Sequence, residues 1–384
     1  MQTRKIFYED PHLQQFDAHV TGCEATEGGY AVTLDATAFY PEGGGQPCDL
    51  GTLGNARVLD VKELDEKIIH LCDTPLSVGQ QVHGQIDWNR RFDLMQQHTG
   101  EHIVSGIICR RYGWHNVGFH MGADVITIDF DGPIPAADLP EIEAEANRAI
   151  WSAAAIVCRV PSPEELPKEH YRSKRALPWP VRIVDVTGWD RCACCGVHVA
   201  HTGEIGLIKL FSCVKFHQGV RIEMACGGRA LDILNRVYEQ NRLVSQAFSA
   251  KIMETGDAAQ KMNQRLADAE FRCNALERQI WDGIAERYTG KGNTLHMDSS
   301  LTPLAIRELA DRISKCCGGI AAVVGGGKDP AICLMGEGQA VSALGAELKN
   351  QLQARGGGKP GVFQGTVPAT PEQIISFFQN WYIC

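Results

Sequence analysis

Two short stretches carry the residues best suited to chemistry. They are Gln96-Gln97-His98-Thr99-Gly100-Glu101-His102 and, far downstream, Cys194-Cys195-Gly196-Val197-His198. His98 and His102 stand at i and i+4, so on a helix both imidazoles leave one face about one turn apart. Cys194 and His198 repeat that spacing with a thiolate and an imidazole. If the fold joins the two pairs, they form a three-histidine, one-cysteine donor set, which is a zinc inventory. Either pair alone is weak evidence, because polar residues four apart are common on helix surfaces; the argument rests on both. Cys192 and Cys195 compete for the thiolate role, but only Cys194 has the four-residue spacing to His198. Such a centre suits hydrolysis, with Zn2+ lowering the pKa of a water or holding an ester carbonyl or amino group. Glu101 and Glu42 are candidate bases, Glu101 being expected to face solvent. His120, in Gly118-Phe119-His120-Met121-Gly122, is a candidate pocket residue.

The elements that must position these residues follow from periodicity. Residues 1–88 read as β-rich: Ala31-Val32-Thr33-Leu34-Asp35, Val58-Leu59-Asp60-Val61, Ile68-Ile69-His70-Leu71 and Gln81 to Trp88 are short strands between glycine turns, which predicts a small antiparallel barrel subdomain. Within it, Gly43-Gly44-Gly45 can bring backbone N–H groups close to a ligand. Residues 89–230 hold both metal pairs. Arg90 to Tyr112 is helix-like with Gly113 as its stop, and the separate strand runs around it indicate an α+β fold. Residues 231–288 carry apolar residues at heptad-like spacing (Met262, Leu266, Ala269, Cys273, Leu276, Ile280), with Gly256 as an interruption. This predicts a coiled-coil segment and a homodimer, or else two amphipathic helices packed on a domain. Residues 289–384 read as a small α/β domain containing Arg355-Gly356-Gly357-Gly358-Lys359.

Composition narrows the class. The chain of 384 residues allows two to four domains, and no apolar run approaches membrane-spanning length. Fifteen cysteines, an odd and scattered set without a secretory leader pattern, point to a reducing cytoplasm. A net charge of −9 argues against indiscriminate nucleic-acid binding but leaves room for local basic surfaces.

The ordered set Phe39-Tyr40-Pro41-Glu42-Gly43-Gly44-Gly45-Gln46-Pro47, Met95 to His102, Cys194-Cys195-Gly196-Val197-His198-Val199 and Thr202-Gly203-Glu204-Ile205-Gly206 resembles the alanyl-tRNA editing family, free-standing relatives of the editing domain of alanyl-tRNA synthetase. The resemblance runs from the N-terminus to about residue 230. It implies a β-barrel subdomain joined to an α/β editing domain, with Zn2+ on His98, His102, Cys194 and His198. It also implies hydrolysis of mischarged tRNA(Ala), seryl-tRNA(Ala) first and glycyl-tRNA(Ala) second. The physical need is that a pocket sized for alanine rejects a hydroxyl-bearing analogue only about a hundredfold. One departure is visible, since the family's Cys-Gly-Gly-Thr-His reads Cys-Cys-Gly-Val-His here. Thr37, Glu42, Gln46, Glu101 and His120 are the expected pocket residues, with Thr37 the candidate for reading the serine hydroxyl. The C-terminal Gly-rich stretch resembles the C-terminal domain of alanyl-tRNA synthetase, a domain type that also follows some phosphoesterase cores. Gly43, Gly44, Gly45, Arg90, Arg91, Arg172, Lys174, Arg355, Gly356, Gly357, Gly358 and Lys359 are the expected tRNA contacts. Two rivals stand beside this reading: a non-catalytic tRNA-binding protein with structural zinc, and a phosphoesterase-related hydrolase, for which the sequence lacks an Asp-His-His cluster.

Overall fold

In the computed structural model, which describes residues 2–173 and 177–381, the α+β chain divides into two units, Met1–Leu243 and Val244–Cys384. The first unit begins with six strands whose hydrogen bonding closes on itself: Gln15–Thr26, Gly29–Leu34, Lys67–Cys72, Ala56–Leu64, Gly51–Leu53 and Gln81–Ile86, the last pairing back to the first. Strict alternation drives this. Gln81–Ile86 buries every second side chain, as period-two geometry requires. Val20, Val32, Leu34, Phe39, Leu53, Ile68, Val82 and Ile86 fill the interior, as in other small barrels.

The interior also holds a polar pair, His70 and Thr37. His70 is fully buried; its Nδ1 lies 3.1 Å from the Val32 carbonyl and its Nε2 lies 2.9 Å from Thr37 Oγ1. The Thr37 hydroxyl also accepts the Phe39 N–H at 3.1 Å. Thr37 is thus committed to the barrel interior, and it does not line the cleft described below.

From the barrel the chain enters the long helix Trp88–Tyr112, capped by Asp87 and ended by Gly113 in the left-handed region. Its middle is buried almost without a break from Leu94 to Ile108. It packs against the helix Leu139–Trp151 and the strands Asp190–Ala193 and Gly219–Cys226. The last strand lies in a four-stranded sheet ordered Ile208–Phe216, Gly219–Cys226, Ile126–Phe130, Asn116–Met121. Because several layers cover this helix, its polar residues turn inward. Glu101, expected at the surface, is only 5% exposed.

Arg91 is the clearest departure from the basic-surface expectation. It is completely buried, and its guanidinium pairs with the equally buried Asp49. It also donates to the Pro11 carbonyl at 2.8 Å and the Ala38 carbonyl at 2.6 Å. It therefore ties the helix to the barrel and is unavailable to RNA.

The second unit is a five-stranded sheet ordered Gly292–Met297, Gly318–Val324, Ala331–Met335, Val362–Thr366, Arg355–Gly357, with helices Pro303–Cys317, Gly338–Leu352 and Pro371–Gln379. Two apolar clusters flank it. Ahead of it runs the helix Thr255–Glu286, whose buried residues are Trp281 and Ala285. Gly256 lies inside this helix; the helical run breaks earlier, near Ser249, which has φ of 51°. Among the described residues no helix is long and apolar enough to cross a membrane.

Two measurements test these packing arguments. Arg91→Ala strands Asp49 as an unpaired buried charge and is expected to cost about 3–5 kcal/mol in urea unfolding. Burial lowers the His70 pKa to about 4 against an ordinary 6.5. Between those values the unfolded chain binds more protons, so stability falls as pH drops from about 6.5 toward 4, by about 3 kcal/mol. The difference in unfolding free energy between wild type and His70→Gln, followed over that pH window, is expected to carry this slope.

Candidate metal centre

His98 and His102 leave the long helix on one side. They meet Cys194 and His198, which follow the strand Asp190–Ala193 in a loop rather than a helix. Cys194 Sγ lies 3.4 Å from His98 Nε2 and 3.5 Å from His198 Nε2, and one ligand atom from each of the four residues falls within 4.8 Å of the others. A sulfur at about 2.3 Å and a nitrogen at about 2.05 Å from one ion, at the tetrahedral angle, stand about 3.6 Å apart, close to the two Cys194–histidine distances. Among the described residues a second metal-capable group, His102, Asp190 and Cys192, shares His102 with the first.

The rings are held from behind. His98 Nδ1 is 2.8 Å from Gln46 Oε1, an acceptor, so Nδ1 carries the proton and Nε2 is left with its lone pair. Thr99 donates its own hydroxyl hydrogen to the Met95 carbonyl at 2.8 Å, so its oxygen accepts from His198 Nδ1 at 3.1 Å. His102 Nδ1 lies 3.1 Å from Asp190 Oδ2, a close ion-pair contact not aligned as a hydrogen bond. Asp190 is itself gripped by Arg172, through Nε at 2.7 Å and Nη2 at 2.8 Å. The backbone closes in as well. A Cβ on Gly196 would stand 2.2 Å from His98 Cε1 and 2.9 Å from Gln46 Oε1, so no side chain fits there.

The electrostatics suit a cation. Burial pushes the Cys194 thiol up, but the three imidazoles outweigh it and hold the group well below the usual thiol value, as thiolate. Burial drives His198 down to about 3, leaving it neutral and able to donate its lone pair. For His102 burial again opposes the charge, yet Asp190 and Cys194 hold the imidazole well above its ordinary value, so metal and proton compete for it.

Beside the four donors is a cleft of about 240 Å³ lined by Gly44, Glu101, Asn116, Phe119, Arg172 and Cys195, among others. It gathers some of the expected site residues and leaves others out. Gln46 is buried and serves the His98 ring. Gly44 lines the cleft; Gly45, at φ of 85°, lies so close to Phe119 that a Cβ would stand 2.8 Å from its ring, and Tyr40 donates to the Gly43 carbonyl at 3.0 Å. The glycines thus allow close packing of the cleft wall. Glu42 is exposed and outside the cleft, its N–H bonded to the Val61 carbonyl at 3.0 Å. His120 is exposed, while its neighbour Phe119 sits with its ring 5.3 Å from His98. Successive strand residues point oppositely, so Phe119 takes the place expected of His120. Arg172 lines the cleft but is spent on Asp190, and Arg90 donates to the Cys48 carbonyl at 3.1 Å. Lys174 lies outside the described residues. In the second unit Arg355, Gly356, Gly357, Gly358 and Lys359 are exposed along and beyond an edge strand. Asp190, Thr99, Ser105 and Asn116 were not expected. Ser105 stands four residues after Glu101 on the same helix, a local spacing, whereas Asp190, Thr99 and Asn116 meet His102, His198 and Glu101 only in the folded chain.

Comparison with known proteins agrees with this construction. Residues 6–90 match the family model described as tRNA synthetases class II (A), and residues 181–228 match the threonyl and alanyl tRNA synthetase second additional domain. An alanine–tRNA ligase from Ignicoccus hospitalis is 33% identical over 288 residues, 70% of this chain; the chain spans about a third of that ligase (32%). The alanyl-tRNA editing protein Aarsd1 of Danio rerio is 27% identical over 379 residues, 93% of this chain and 92% of its own length. Aarsd1-B of Xenopus laevis is 29% identical over 92% of this chain and 88% of its own. The chain is thus similar to alanyl-tRNA editing proteins over nearly its whole length, at 27–29% identity.

The donor geometry predicts about one zinc per chain by metal analysis of the purified protein. Cys194→Ser is expected to weaken metal retention against a competing chelator by at least about tenfold, and Cys195→Ser to leave it near wild type. The reverse order would move the thiolate to Cys195.

Proposed function

We propose that this chain is a trans-editing hydrolase that deacylates mischarged tRNA(Ala), with serine the preferred misacyl group and glycine the second, in a zinc-dependent ester hydrolysis. The observation that carries the reading is the His98-His102-Cys194-His198 donor set opening onto a cleft of about 240 Å³, a space for an acyl group rather than a whole nucleotide. When bound, zinc supplies a positive charge that polarises an ester oxygen or acidifies a water. The protein's own residues do the rest. Gln46 and Thr99 keep the imidazoles in one tautomer and one orientation. Phe119 and the Gly44 backbone wall the cleft, and Arg172 fixes Asp190 against His102. The names of the relatives supply the carrier, tRNA(Ala). In the second unit Arg355 and Lys359, flanking exposed glycines, are suited to phosphate contact away from the acceptor end.

A structural-zinc reading is favoured by one observation: four protein donors in mutual reach make a closed set of the kind structural sites use. Deacylation assays separate the two. Wild type is expected to release serine from seryl-tRNA(Ala) faster than glycine from glycyl-tRNA(Ala), and to spare alanyl-tRNA(Ala). His98→Ala, His102→Ala and His198→Ala are each expected to lower that rate by at least about a hundredfold, and Gln46→Leu by about ten- to a hundredfold. Zinc bound with no ester hydrolysis would leave the structural role alone.

We also place the enzyme in the cytoplasm and as a homodimer. The helix Thr255–Glu286 exposes Met262, Leu266, Leu276 and Ile280 along one face, an apolar stripe that a second copy would cover. Light scattering at micromolar concentration is expected to give twice the chain mass.

A further inference from the structure

Glu101 and Asn116 line the cleft beside the metal centre, yet neither holds an imidazole ring. Both are 5% exposed. Asn116 Nδ2 donates to Glu101 Oε1 at 2.6 Å, and the Ser105 hydroxyl donates to the same oxygen at 2.5 Å. A carboxylate oxygen only accepts, so the Asn116 amide is oriented by chemistry: its nitrogen faces Glu101 and its oxygen faces elsewhere. That oxygen, Asn116 Oδ1, is buried and has no hydrogen-bond partner among the described residues. The second Glu101 oxygen, Oε2, accepts no hydrogen bond among the described residues and stands 4.0 Å from His102 Nε2, beyond hydrogen-bond range. The cation nearest in kind, Arg172, is already committed to Asp190. The cleft wall therefore holds one buried neutral acceptor without a donor, which is uncommon in folded proteins, beside a carboxylate oxygen whose neighbouring ring nitrogen is 4.0 Å away.

We propose that Glu101 Oε2 and Asn116 Oδ1 receive the α-ammonium group of the aminoacyl ester, an assignment that rests on the deacylase reading. A primary ammonium brings three donors and a positive charge, which the two acceptors complement. In an aminoacyl ester this ammonium is separated from the reacting carbonyl carbon by one carbon, and Glu101 neighbours the metal-site residue His102 on the helix. Ser105 and Asn116 pin Oε1, so Oε2 is held in place before the substrate arrives. Such a site distinguishes an aminoacyl ester from a peptidyl ester, whose nitrogen is a neutral amide with a single N–H.

The test compares three esters on tRNA(Ala): seryl, N-acetylseryl, and the size-matched α-hydroxy ester made by nitrous acid deamination of the seryl form. Each enzymatic rate is divided by the spontaneous hydrolysis rate of the same ester. Wild type is expected to favour the seryl ester over both others by about a hundredfold. Glu101→Gln can keep its carbonyl oxygen toward Ser105 and Asn116 while turning an NH2 into the cleft. It is expected to lose about a hundredfold on the seryl ester, stay within about threefold of wild type on the α-hydroxy ester, and retain its zinc. Asn116→Ala, expected to show the same pattern more weakly, carries the test if Glu101→Gln does not fold. Equal losses on the seryl and α-hydroxy esters would make Glu101 a general base, and loss of zinc would make it a support of the metal; either overturns the proposal. Equal normalised wild-type rates on all three esters would remove the ammonium site and leave the deacylase reading standing. A wild-type protein inactive on all three would remove both.

Discussion

A histidine can present a lone pair in a chosen direction only if its other ring nitrogen is occupied. Here each Nδ1 faces a group from a different place: Gln46 from the barrel side hydrogen-bonds His98, Thr99 from the helix hydrogen-bonds His198, and Asp190 from a strand makes an ion-pair contact with His102. Much of the first unit serves that arrangement. The barrel must dock firmly, because the Gln46 side chain reaches the centre from its loop, and Arg91 fastens that docking through Asp49 and the Pro11 and Ala38 carbonyls. The helix must be buried, because it presents His98 and His102 on one side and Thr99 toward His198. Asp190 must be anchored, because an unbalanced carboxylate beside His102 would be a buried charge without a partner, and Arg172 supplies that partner.

The chemistry of the centre was legible in the sequence because it is local. His98 and His102 are one helical turn apart, and Cys194 and His198 are linked by three residues of loop, of which Gly196 packs against His98. The helix assumption was needed only for the first pair. The second works because a glycine lets the loop fold tightly, which also explains the departure from the family pattern. Cys195 and Val197 sit where side chains have room, Cys195 against Gly44 and Tyr40, whereas position 196 has none.

What could not be read was whatever depends on tertiary layers. A helix packed on several sides has no solvent face to predict, so Glu101 and Arg91 turned inward against their composition. Strand parity decided between Phe119 and His120, and a one-residue difference is invisible without the sheet register. Thr37 lies in a stretch that resembles the editing pocket, but its hydroxyl is claimed by His70 across the barrel, a pairing 33 residues distant in sequence. The basic clusters were the poorest guide, since Arg91 and Arg172 spend their charge inside the protein, where a carboxylate rather than a phosphate receives it.

The separation of the two donor pairs has a mechanical consequence. His98 and Cys194 are 96 residues apart in sequence yet 3.4 Å apart in space. An ion joining them would act on the unfolded chain as a cross-link closing a long loop, with an entropic benefit that grows only slowly with loop length. Metal loading and the persistence of this unit in its folded state are then one equilibrium, and a cell short of the ion would lose the protein as well as the chemistry.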